Sequence, residues 1–229
     1  MLMMRENLFR WIVRGIFWCG LTYVYFAIYR QTSFADYRFL LENLFLAYVP
    51  IEMSFHLGKR HGIIFWSVFV VWIFFYPNAP YMLTDFFHLA LRNPYVLRSD
   101  GTKTGLLKSD MSIWLTFLNI AACALMSTFV GVLTLHRTVC VLLIRLGRNT
   151  IYWQTIFVLA FSLVSSVGIY IGRFQRFHTV HLVTQPFETV RCLMTIWDVH
   201  LMMFMVILTM IQMLIWGLLM LARLVVQKV

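Results

Sequence analysis

A chain of 229 residues with 61% hydrophobic and 12% charged side chains lies far from the about 45–50% and about 25% of soluble domains. A water-soluble globule is excluded, and no length remains for a separate soluble domain beside the apolar segments. The formal net charge of +10 comes mostly from basic residues in short loops and at the ends of apolar runs, where they meet anionic headgroups and set orientation; the partner implied is the lipid bilayer, not nucleic acid.

Six segments meet or approach the about 20 apolar residues that a spanning helix needs. The first is 11–29, within which Gly15–Tyr29 follows Arg5, Arg10 and Arg14 in the manner of a signal peptide. No small-x-small cleavage site follows and the apolar core runs on, so it reads as a retained span with Arg14 snorkelling. The second, 39–55, contains Glu42, Asn43, Pro50 and Glu52. Asn43 is its interior candidate, because an amide bonds across helices without carrying charge. Glu52 has His56, Lys59 and Arg60 as charge partners nearby.

The third span, 62–76, is short and is stopped by Pro77. The fourth is 111–135, with 138–146 either extending it or lying along the interface; the fifth is 151–171 and the sixth 201–222. The expected fold is an all-α integral membrane protein, one domain over 1–229, built as a bundle of about six transmembrane helices with a Pro-broken amphipathic element after the third.

With the N-terminus inside, ten basic residues fall on the cytoplasmic face and nine on the other. The charge rule weights short loops, and 92–108 belongs to a long connection, which tips the expectation toward a cytoplasmic N-terminus. Parity adds that the two longest polar connections, 77–110 and 172–200, emerge on the same face.

After Pro77-Asn78-Ala79-Pro80, at about 100° per residue, Tyr81, Thr84, Asp85, His88 and Arg92 share one side of a helix. Met82, Leu83, Phe86, Phe87 and Leu89 take the other. One reading is an interfacial helix turning its polar side to water. Another makes Asp85 and His88 ligands or an acid/base pair. In a third the stripe faces the bundle and an Asp85–Arg92 pair holds the loop.

A second cluster, Arg173, Arg176, His178 and His181, follows the fifth span. The two histidines lie three apart, a common way to offer two metal ligands. Joined with Asp85 and His88 they would make a set suited to a divalent metal, zinc or manganese; unrelated interfacial histidines are the competing reading. Arg173 and Arg176 either snorkel to lipid phosphates or clamp an anionic group, with Asn78 and Tyr81 as neighbours.

Gly168-Ile169-Tyr170-Ile171-Gly172 is a small-x-x-x-small pattern that permits close helix approach. The cysteines Cys19, Cys123, Cys140 and Cys192 show no C-x-x-C spacing and read as small buried hydrophobes. No Walker loop, dinucleotide fingerprint, G-x-S-x-G or H-E-x-x-H is present.

The run Pro77-Asn78-Ala79-Pro80-Tyr81 with Thr84-Asp85 and His88-Leu89 resembles the central signature of the bacterial multi-pass membrane family called domain of unknown function 1361. Asn43-Leu44-Phe45-Leu46-Ala47 with Pro50, and Gly168 to Phe174 with Arg176, extend the resemblance over about 39–186. The chain departs from the pattern at Glu42, where Trp is expected, and at His178 and His181, where the family tends to Asn and Asp. The resemblance implies a bacterial inner-membrane protein and no known activity.

Three functions remain open. A metal-dependent site near one membrane face would support hydrolytic or transfer chemistry on a lipid-linked substrate. A binding or transport module would recognise a small anion or a partner protein with the same residues. In the third, the polar cluster only staples the loops.

Overall fold

The computed structural model describes residues 2–30, 38–175, 184 and 186–226. Helix α1 is Leu2–Arg30, α2 Arg38–Leu57 and α3 Gly62–Phe75, followed by the single turn α4, Asn78–Tyr81, and a 3-10 helix, Met82–Arg92. A hairpin of β1, Tyr95–Leu97, and β2, Lys103–Leu107, leads to α5, Met111–Arg145. Then come α6, Ile151–Phe174, α7, Pro186–Thr195, and α8, Val199–Val226.

Among the described residues, five stretches are long and apolar enough to cross a membrane: Asn7–Tyr29, Gly62–Arg92, Met111–Arg145, Ile151–Phe174 and Val199–Val225. The expected second span is the helix α2, which is not among these five; Glu42, Asn43, Glu52 and His56 lower its hydropathy. It is nonetheless central. Leu44, Ala47, Ile51 and Phe55 of α2 are wholly enclosed, in one apolar core with Phe17 of α1, Ala79 and Met82. A second core joins Phe65, Phe69 and Trp72 of α3 to α6 and α8.

Helix α5 contributes to both cores, through Cys123 and Ala124 to the first and Val132, Leu135, Val139 and Leu143 to the second. Residues 138–146 therefore extend this helix, as one of the two readings has it. Large apolar side chains such as Leu118, Leu125 and Phe129 point outward from the same helix, as a bilayer demands and water would penalise.

The third span does not stop at Pro77. Prolines 77 and 80 remove two backbone donors, but Asn78 Nδ2 donates to the Phe75 carbonyl at 2.9 Å and the Ala79 N–H reaches the Tyr76 carbonyl at 3.1 Å. The chain thus continues helically to Arg92 and ends at Asn93, whose φ of 45° is left-handed. The Pro-Asn-Ala-Pro turn is gripped on two sides. A Cβ on Gly131 would lie 2.7 Å from Ala79 Cβ, and one on Gly168 would lie 3.0 Å from Pro77 Cγ. The close approach expected at Gly168 is therefore to this turn.

The hairpin was not expected. Its turn has Asp100 accepting from the backbone N–H and the hydroxyl of Thr102, with Gly101 at φ +81°. Asp110 caps α5 by accepting the Ser112 N–H at 2.9 Å. That bond, with charge from Lys108 and Arg92, holds its carboxyl below the usual carboxylate range.

Candidate polar site at one membrane face

The 3-10 geometry changes the expected stripe. At about three residues per turn, Tyr81 eclipses Thr84 and Asp85 eclipses His88, while Arg92 leaves the line. Thr84 and Asp85 are buried at 4% and 0% exposure, so this side faces the bundle and not water. The interfacial-helix reading is corrected by that burial, and the ion-pair partner of Asp85 is Arg173 from the end of α6.

Arg173 is the hub. Its Nη2 donates to the Thr84 carbonyl at 2.5 Å, and its Nη1 lies 3.4 Å from both Asp85 Oδ1 and the Tyr81 hydroxyl. The other carboxylate oxygen of Asp85 accepts from Asn43 Nδ2 of α2 at 2.9 Å. Three segments far apart in sequence therefore meet on one enclosed carboxylate. A buried carboxylate is tolerated when a charge partner and hydrogen bonds surround it, and here both oxygens have donors.

His88 closes the cluster. Its Nδ1 lies 3.4 Å from Arg173 Nη2, and its ring stacks on Phe39 with centroids 3.8 Å apart at 17°. The same Nδ1 lies 3.3 Å from the Asp85 carbonyl oxygen, so His88 sits between the guanidinium and the backbone of its own turn.

Of the residues expected at the site, Tyr81, Asp85, His88 and Arg173 are brought together. Asn78 is not: its amide serves the Phe75 carbonyl. Arg176, His178 and His181 lie outside the described residues. Among the described residues, no three of His, Cys, Asp and Glu group so as to hold a metal ion. Asp85 and His88, the described half of the expected ligand set, face a guanidinium, which repels a divalent cation as like charges do.

Asn43 joins the site although the sequence pointed only to an interior role for it. Parity puts the start of span two on the same face as the connection after span three, but no sequence signal pairs Asn43 with Asp85. The ring of Phe39 carried no signal either.

A second polar cluster lies at the opposite face. Arg14 makes a two-pronged pair with Glu52, one prong Nε to Oε2 at 2.9 Å, the other Nη2 to Oε1. Tyr48 donates to Glu52 at 2.7 Å and His56 lies 2.9 Å from it. The i, i+4 spacing of Tyr48, Glu52 and His56 lines them up on α2. Of the charge partners expected for Glu52, His56 is there, and the arginine comes from α1.

A family model described as "Protein of unknown function (DUF1361)" matches residues 42–215, so the chain belongs to that family. No curated protein and no solved structure matches it.

Proposed function

We propose that this member of the family is a non-catalytic multi-pass module of a bacterial cytoplasmic membrane, in which the Arg173–Asp85 cluster staples the connections after the third and fifth spans into one surface. The observation that carries the reading is that Arg173 meets Asp85, the Thr84 carbonyl and the Tyr81 hydroxyl at one place. An acid/base role needs a carboxyl within reach of substrate, and Asp85 has 0% exposure. An anion clamp needs free guanidinium donors, and both Nη atoms of Arg173 face internal acceptors.

Helix α2 is taken as a sixth crossing. Its 20 residues extend about 30 Å at 1.5 Å per residue, matching a hydrocarbon core of about 30 Å. Its interior polar groups Asn43 and Glu52 have partners within the bundle. The basic short turns around Lys59 and Arg60 and around Arg145 and Arg148 favour a cytoplasmic N-terminus. The stapled surface is then offered on the opposite side to a partner protein or a small or lipid-linked anion.

Elemental analysis of protein purified in detergent without a histidine tag tests this against the metal reading with Asp85, His88, His178 and His181. Zinc and manganese well below one per chain are expected, even after either metal is added. Near-stoichiometric metal that disappears in a still-folded His178→Ala/His181→Ala variant would overturn the proposal.

A further inference from the structure

We propose that the groove between α2 and α3 is a binding site for one anionic glycerophospholipid from the leaflet on the N-terminal face. The groove is open along its outer side and holds about 540 Å³. Phe45, Val49 and Met53 of α2 and Ile64 and Val68 of α3 form its walls, and Glu52, His56 and Arg60 line it toward the short turn between the helices. Its volume suits a chain-like apolar group, since pockets for small ligands run about 300–1,000 Å³.

Length selects the ligand. From Phe45 to His56 the groove follows α2 for about 16 Å at 1.5 Å per residue. That is about half of a hydrocarbon core about 30 Å thick. An acyl chain descending from one leaflet fills it, with its headgroup beside Lys59 and Arg60.

Charge selects the headgroup. No acidic residue occurs between Met53 and Thr84, or between Met111 and Phe187, so both short turns on this face are purely basic. The one carboxylate in the groove, Glu52, is engaged by Arg14, Tyr48 and His56. Arg145 fixes the turn itself, donating to the Arg60 carbonyl while its guanidinium sits 4.0 Å from the centroid of the Phe65 ring. Lys59 and Arg60 are exposed and face the headgroup layer. Juxtamembrane basic groups of this kind favour anionic over zwitterionic lipid.

The test is thermal stability of the full chain in mild detergent with added dioleoylphosphatidylglycerol or dioleoylphosphatidylcholine. Phosphatidylglycerol is expected to raise the melting temperature by several degrees at concentrations where phosphatidylcholine does little. The Lys59→Gln/Arg60→Gln variant should lose that preference, while Arg98→Gln/Lys103→Gln, which removes equal charge from the hairpin on the other face, keeps it. Ile64→Trp narrows the groove from an exposed position and should blunt the effect of phosphatidylglycerol without lowering the lipid-free melting temperature. Equal shifts from both lipids, or an undiminished preference in Lys59→Gln/Arg60→Gln, would overturn the site. So would glycerol phosphate alone reproducing the full shift, because recognition would then need no groove.

Discussion

At one face of the bundle Arg173 meets Asp85; at the other Arg14 meets Glu52. The two arginine–carboxylate pairs differ in enclosure and in reach. The Asp85 side chain has no exposed surface and that of Arg173 has 19%, whereas Arg14 and Glu52 keep 24% and 26%. Arg173 also binds backbone, at the Thr84 carbonyl, and so fixes a segment that two prolines have weakened. Arg14 and Glu52 join two intact helices that Phe17, Leu44 and Phe55 already pack together. The same chemistry therefore does different work: one pair determines where the chain goes, and the other decorates a contact made by apolar packing.

The largest effect should follow from breaking the enclosed pair. Arg173→Ala leaves Asp85 buried without its cation, and removing one partner of a buried pair costs about 3–5 kcal/mol; thermal unfolding in detergent should show a fall large enough to threaten folding. An unchanged melting temperature would erase the distinction between the two faces.

The seat of the turn comes next. Gly131→Ala puts a methyl group 2.7 Å from Ala79 Cβ, an overpacking worth about 1–3 kcal/mol. Adding Ala79→Gly should recover most of the lost melting temperature by vacating that space. Asn43→Leu is expected to cost a comparable or smaller amount, about 1–3 kcal/mol for a buried acceptor left unsatisfied, since Asp85 Oδ2 loses its 2.9 Å donor.

At the other face, Glu52→Gln should cost about 1 kcal/mol or less, as partly exposed pairs do, and its loss should shrink further in high salt. A cost equal to that of Arg173→Ala would contradict the comparison.

Much of this was legible in the residues. Spans came from apolar runs, and the meeting of residues 81–88 with Arg173 came from counting crossings, which needs no side-chain detail. The angular prediction misplaced Arg92 because Met82–Arg92 form a 3-10 helix, to which a wheel drawn at 3.6 residues per turn does not apply. Donor replacement by the Asn78 side chain, which lets the third helix run on, depends on one rotamer and leaves no periodic trace. The hairpin did leave one, in Asp100-Gly101, a turn signal inside a connection read only as long and polar. Asn43 was read correctly as an interior amide, but its partner could be named only once α2 and the 3-10 helix were seen side by side.

The central claim is that Arg173 and Asp85 act on each other, and a double-mutant cycle tests it most directly. Arg173→Gln, Asp85→Asn and the double variant are compared by thermal unfolding in the same detergent. Coupled residues in contact show interaction energies of about 0.5–3 kcal/mol, so the double variant should lose clearly less stability than the sum of the single losses. Strict additivity would mean that the two side chains stabilise the protein independently, and the staple would not exist.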